Sequence, residues 1–210
     1  MKLQELFSFD IMPYVSQRII RAGEYILHEG EKMKELIYLE KGKAKCGLTH
    51  ENGVISLIDF ISAPSFLGDL ELVGVQTNCS SIVAISDCIC QVIHLQGCRD
   101  KILNDVIFLR YLCVSTGKKA VRNAEYITIS QSYPLKNRLA TFLLNAQNNG
   151  IYAGPHTEAA AYLGVSYRHL LYVLAQFVKD GLLEKSSGVY RICDMERLEE
   201  LGVRTVQLEE

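Results

Sequence analysis

The sequence predicts an α+β chain: a β-sandwich or roll, then a long helix, then a winged helix-turn-helix. Three observations predict it. From Arg18 to about Leu95, short apolar runs alternate with Gly-rich turns. From Arg99 to Ile127 the apolar period becomes helical and no proline interrupts it. The stretch His156–Arg191 then reads as two short helices around a tight turn, followed by a hairpin.

Residues 1–15 read as a short amphipathic helix carrying Leu3, Leu6, Phe7 and Ile11. In the roll, Tyr25-Ile26-Leu27 is followed by the turn Glu29-Gly30-Glu31, and Leu36–Leu39 by Lys41-Gly42. Asn52-Gly53 is a two-residue hairpin signal ahead of Val54–Phe60. Ala63-Pro64 precedes Phe66-Leu67, and Ile82–Ile85 and Ile89–Ile93 flank Ser86-Asp87. The expected division is a sensor roll over 1–98, a dimerisation helix over 99–127, a winged helix-turn-helix over 128–193 and an acidic tail over 194–210.

In the long helix Ile102, Val106, Leu109, Cys113, Thr116, Ala120, Asn123 and Ile127 recur every three or four residues. That spacing makes an approximate seam for a partner helix, so the chain is expected to form a homodimer. The alternative is a helix packed on its own β-domain. Pro134 marks the next boundary, because the residue before a proline avoids the α region. A helix over Leu135–Gln147 follows, with Leu139, Phe142 and Leu143 on one face, and Asn148-Asn149-Gly150 ends it.

The helix-turn-helix is specified residue by residue. Thr157 is the expected cap of its first helix, whose run of alanines can pack closely against a second. Gly164 sits where the chain must leave that helix with positive φ. Ser166 is the expected cap of the second helix, and Leu170, Leu171, Leu174, Phe177 and Val178 form its buried stripe. Tyr167, Arg168, His169 and Tyr172 fall outside the stripe, where a recognition helix would present them to the major groove of double-stranded DNA. Gly181 stops the helix, and Ser186-Ser187-Gly188 turns the wing between Leu182–Lys185 and Val189–Ile192. Lys185 and Ser187 are the wing's candidate DNA contacts.

Composition narrows the class. With 210 residues and 49% hydrophobic content, the chain can build real cores. The net charge of −2 gives no global support for nucleic-acid binding. Its distribution does: residues 128–192 carry six Lys/Arg against three acids, and residues 194–210 six acids against two arginines. The start has acidic residues and no long apolar stretch, and no later run reaches the roughly 20 residues of a membrane span, so no export signal and no membrane partner are expected. Seven cysteines without an export signal fit a reducing, cytoplasmic setting.

Roll, long helix and winged helix-turn-helix in this order resemble the CRP/FNR superfamily of bacterial transcription regulators, and the likeness covers nearly the whole chain. Residues 21–31 (RAGEYILHEGE), 37–44 (IYLEKGKA) and 66–72 (FLGDLEL) carry it in the roll, and Thr157–Arg191 carries it in the DNA-binding part. Segments 54–60 (VISLIDF) and 162–177 (YLGVSYRHLLYVLAQF) are most similar to the YeiL type within that superfamily. The resemblance implies a double-stranded β-helix (jelly-roll) of the cyclic-nucleotide-binding kind, a homodimer, no enzymatic activity, and an effector pocket at Gly68, Asp69, Leu70, Cys79 and Ser80. It also brings RNA polymerase and an unknown small-molecule effector into view as partners.

The departures from the family pattern bear on mechanism. Members that bind cyclic AMP carry an acid after a glycine and an Arg-Ser pair about ten residues on; the arginine pairs the phosphate. Gly68-Asp69 fits the first part, but the second reads Cys79-Ser80, and no arginine lies between Arg21 and Arg99. A buried phosphate would lack its counter-charge, so the expected signal is not a cyclic nucleotide, or none is needed. In the recognition helix the family's Ser-Arg-Glu-Thr is replaced by Ser166-Tyr167-Arg168-His169. Arg168 would prefer guanine O6/N7 where the glutamate accepts from cytosine, so a different operator is expected.

Cys79, Cys88, Cys90 and Cys98 fall within twenty residues. Cys88 and Cys90 alternate on an expected strand and point to one face. Four thiolates could ligate an iron–sulfur cluster or zinc, and two could form a redox-switched disulfide. Against this, cysteine packs as a small buried hydrophobe, and C-x-C lacks the usual metal-knuckle spacing. No resident metal is expected; Cys113 and Cys193 read as packing residues. The FNR-type cluster cannot be built in the same way, since no cysteine precedes Cys46.

Overall fold

A computed structural model describes residues 2–49, 55–77 and 79–203 and divides the chain into two compact units, the first of residues 1–53 and 58–118 and the second of residues 54–57 and 119–210. The Asn52-Gly53 hairpin signal and the tail beyond residue 203 lie outside the described residues.

The first unit opens with two 3-10 turns, Leu3–Leu6 and Met12–Tyr14, where one amphipathic helix was expected. Phe7 is extended and ends the first turn, and Pro13 starts the second, so no continuous helix forms. The roll follows as β1 (Val15–Ile20), β2 (Tyr25–Leu27), β3 (Glu35–Lys41), β4 (Lys43–Thr49), β5 (Ile55–Ser62), β6 (Ser65–Leu67), α1 (Asp69–Leu72), β7 (Ser81–Ala84) and β8 (Cys88–His94). Two four-stranded sheets result, in the orders β1-β8-β3-β6 and β2-β7-β4-β5. β4 has lysines at alternate positions and a half-buried pattern, which hid it from the apolar-run criterion. Gly42 makes the tight β3–β4 turn: its φ is +106°, and a Cβ there would meet Asp87 O and Cys88 Sγ at 2.7 Å.

β3 is buried on both faces, which is why residues 36–39 are a continuous apolar run rather than an alternating one. Ile37, Leu39, Cys88, Cys90 and Val92 face Ile26, Ala44, Ile82 and Ala84 in an inner core. On the other face Leu36, Tyr38, Phe66 and Ile93 are covered by Leu3, Leu6, Phe7 and Ile11, and by the helices after the roll.

Those helices are α2 (Arg99–Leu103) and α3 (Val106–Ser132). The single helix expected over 99–127 is therefore broken at Asn104-Asp105. The reason is a buried cap. Asp105, 3% exposed, accepts from the amides of Ile107 and Phe108 at 2.9 and 3.1 Å and starts α3. Its other oxygen accepts from Ser8 N at 2.7 Å and Ser8 Oγ at 2.8 Å, which ties the N-terminal segment to the same point.

The second unit contains the rest of α3, then α4 (Leu135–Ala146), β9 (Ile151–Tyr152), α5 (His156–Tyr162), α6 (Tyr167–Lys179), β10 (Leu183–Ser186), β11 (Val189–Ile192) and α7 (Met195–Leu201). Leu139, Phe142 and Leu143 of α4 are buried as expected, alongside Ala159, Ala160, Leu170, Leu174, Phe177 and Leu198. β9 adds a third strand to the wing, in the order β10-β11-β9. The tail expected from residue 194 begins as a helix instead. Asp194 caps α7 by accepting from Arg197 N at 3.0 Å, and Leu198 is buried.

Candidate nucleic-acid interface

α6 is held at both its start and its buried side. Gly164 leaves α5 with φ +64°, and Ser166 Oγ accepts from His169 N at 3.2 Å, the expected cap. Leu170, Val173, Leu174 and Phe177 form the buried stripe; Leu171 is half-buried, and Val178 is exposed rather than part of the stripe. The α5 C-terminus is fixed from neighbouring helices, satisfying carbonyls that a helix end leaves open. Tyr126 Oη donates to Tyr162 O at 2.7 Å, and Arg138 Nη1 donates to Leu163 O at 2.6 Å. A recognition helix so anchored presents a defined face.

That face carries the expected residues. Tyr167 is 48% exposed, Tyr172 63%, and Arg168 and His169 are exposed beside them. Arg168 and Tyr172 lie four residues apart, hence one above the other. No Asp or Glu occurs between Ser166 and Lys179, so the face carries no negative charge. Tyr167 diverges from the other three: its ring lies 6.2 Å from that of His156.

The wing turn forms at Ser187 (φ +48°) and Gly188 (φ +86°), two successive positive-φ residues that join β10 to β11 in a tight hairpin. Ser187 is exposed at the tip, and Lys185 holds its ammonium 5.8 Å over the ring of Tyr190. Thr157 is placed differently from expectation. Pro155, extended at φ −63° and ψ 131°, occupies the cap position, so Thr157 lies inside the first turn and caps nothing. It remains exposed. His156 was not singled out by sequence reasoning, since only the fold brings its ring to Tyr190, 5.5 Å away.

The residues expected to line an effector pocket fall at the start of α1 and just before β7. Gly68 (φ +84°) caps α1, and Asp69 is buried near Tyr111 of α3, whose phenol its charge pushes up after burial does. Cys79 is buried, with its amide donating to Glu31 O at 3.1 Å and its carbonyl accepting from Gly30 N at 3.0 Å. Burial first, then the Glu71 and Glu31 carboxylates, push the Cys79 thiol up. Leu70 and Ser80 are half-buried beside them. The charge around Cys79 is thus negative where an anion-binding pocket needs a cation.

The four clustered cysteines are distributed among separate surroundings. Cys88 and Cys90 share one strand face in the inner core, Cys98 lies in the outer core, and Cys79 is at the α1 edge. Burial raises all four thiols, Cys90 to about 11, and Cys98 Sγ donates to His94 O at 3.1 Å. Among the described residues no group of His, Cys, Asp or Glu is arranged to hold a metal ion. Cys113 and Cys193 are exposed, contrary to the packing role expected of them: α3 turns Cys113 away from Phe108 and Leu112, and Cys193 follows the wing's last strand.

Comparison with known proteins agrees with this architecture. Residues 17–105 match the family described as a cyclic nucleotide-binding domain, and residues 137–201 match the Crp-like helix-turn-helix domain. The regulatory protein YeiL of Escherichia coli O157:H7 is 46% identical over 182 residues, covering 87% of this chain and 83% of its own. Two solved structures share the fold at 18% identity. A putative CRP/FNR-family regulator of Eubacterium rectale has a TM-score of 0.71 (91% of each chain). A CRP-family transcriptional regulator of Thermus thermophilus has 0.67 (88% of this chain, 95% of its own). Among the described residues no helix is long and apolar enough to cross a membrane. With the roll, the long helix and the exposed α6 face in place, the chain belongs to the CRP/FNR family of transcription regulators.

Proposed function

We propose that the chain acts as a homodimer that reads a palindromic DNA site with α6, under a signal other than a cyclic nucleotide or without one. The observation that carries this is the face of Arg168, His169 and Tyr172. It is exposed on a helix whose opposite side is buried and whose start is capped. Arg168, in the first turn, reads a guanine edge through O6 and N7, and Tyr172 one turn later offers a ring to a thymine methyl. Two such helices in a symmetric dimer would meet half-sites about one DNA turn apart. Effector state would act by shifting the population between two dimer geometries.

The test is binding of the purified protein to a fragmented genomic library, in reduced and mildly oxidised forms at fixed salt. A shared palindrome should be enriched in both forms, because the buried thiols are protonated and dispersed. Enrichment in one form alone would instead support a cysteine switch. Arg168→Ala should lose the preference at one position per half-site, a discrimination of about 1–3 kcal/mol. Unchanged enrichment by the variant would sink the assignment of α6 as the reading helix.

A further inference from the structure

The inference rests on the DNA-binding reading and concerns a part of the interface that base recognition does not use. Tyr190 of β11 is buried, and polar side chains from two other elements lie beside its ring. The His156 ring of α5 lies 5.5 Å from it, and Lys185 Nζ of β10 lies 5.8 Å above it. Tyr167 of α6 completes the group, 6.2 Å from His156. An imidazole and an ammonium thus lie beside the Tyr190 ring, and the Tyr167 ring lies beside the imidazole at the exposed start of α6. Among the described residues, none of the three side chains makes a hydrogen bond through its polar atoms, and Lys185 has no ion pair. The neighbouring acids lie elsewhere in register: Glu184 pairs across the hairpin with Arg191, and Glu158 is two residues along α5.

We propose that His156, Tyr167 and Lys185 together bind one backbone phosphate of DNA, and that His156 takes up a proton when they do. The three donors match what a phosphate oxygen accepts, and such contacts fix register without reading sequence. In the free protein, burial first and then the Lys185 charge hold His156 below its ordinary value, which disfavours the imidazolium. A phosphate placed between imidazole and ammonium offsets the Lys185 charge and favours the imidazolium. Binding therefore consumes a proton, so affinity rises as pH falls through the histidine range and is flat well above it.

The experiment uses the full chain and a mixed-sequence duplex, since phosphate contacts dominate binding that ignores sequence. Affinity is measured from about pH 6 to about pH 8 at fixed salt, and across a salt series at the upper pH. Wild type should bind more tightly at the lower pH. His156→Gln should remove that dependence while keeping the upper-pH affinity. Lys185→Ala should flatten the log-affinity against log-salt slope by about 0.9, the release expected for one phosphate. His28→Gln, in the roll, should leave the pH dependence in place. A pH dependence that survives His156→Gln, or that vanishes with His28→Gln, overturns the proposal. So does an unchanged salt slope in Lys185→Ala, a readout independent of whether the histidine variant folds. Failure of wild type to bind the duplex at any pH would instead overturn the DNA-binding reading beneath it.

Discussion

At the scale of single residues, Asp105 shows how one buried charge can organise a hinge. Burial raises its carboxyl, but the hydrogen bonds from Ser8, Phe108 and Ile107 outweigh that and hold it below the ordinary aspartate value. A lowered folded value means its stabilisation is complete above the unfolded pKa of about 4 and is lost as pH falls through the folded one. Asp105→Ala should therefore cost about 2–4 kcal/mol at neutral pH, from a lost cap and orphaned buried donors. The difference from wild type in denaturant melts should shrink in acid; a difference independent of pH would contradict the charged cap. The thiols make a complementary case. With a disulfide-exchange reagent, exposed Cys113 and Cys193 should react first, and Cys79, Cys88, Cys90 and Cys98 only on unfolding. Rapid reaction of Cys90 in the native protein would contradict a thiol held at about 11.

At the scale of elements, α3 beyond Leu112 carries apolar residues that stay exposed. Val114 is 53% exposed, Val121 45% and Ile127 59%. The expected seam is divided: Ile102 and Leu109 pack on the roll, Thr116 is half-buried, and Val106, Cys113, Ala120, Asn123 and Ile127 are exposed. Phe108 and Leu112 anchor the start of this helix on its own roll, as the alternative reading expects, and the exposed stretch beyond them is where the proposed dimer would pair. Val114 and Val121 are seven residues apart and repeat on one side of the helix. Val114→Asp with Val121→Asp should convert a dimer to a monomer in light scattering without reducing helix content. A double variant that stays dimeric would move the interface elsewhere. The element scale also shows what sequence can convey. The turn glycines, the Ser166 cap and the α6 stripe follow from local rules, so their positions were legible. The α2–α3 break, β4 and α7 were not. Each depends on tertiary partners: Ser8 for the Asp105 hinge, the inner core for Ala44, and α4 for Leu198, with Asn137 Nδ2 donating to Leu201 O at 2.8 Å.

At the scale of the whole molecule, the question is what signal the roll can receive. The roll matches a cyclic nucleotide-binding domain in fold, yet its chemistry at the decisive edge runs against a cyclic phosphate. Cys79 stands at the expected arginine position as a protonated thiol, with the Glu31 and Glu71 carboxylates acting on it. No arginine lies between Arg21 and Arg99 to replace the missing charge. An anion placed there would meet negative charge while losing its hydration, and neither loss is compensated. A ligand that binds only the native state at about 100 times its Kd stabilises by about 2.7 kcal/mol. For a chain of this length that corresponds to a Tm rise of roughly 5–10 °C. Cyclic AMP and cyclic GMP should therefore leave the Tm unchanged even at millimolar concentration, and leave the affinity for the enriched DNA site unchanged as well. A rise of several degrees would mean that a cation from outside this edge reaches the phosphate, and the effector assignment would have to be reversed.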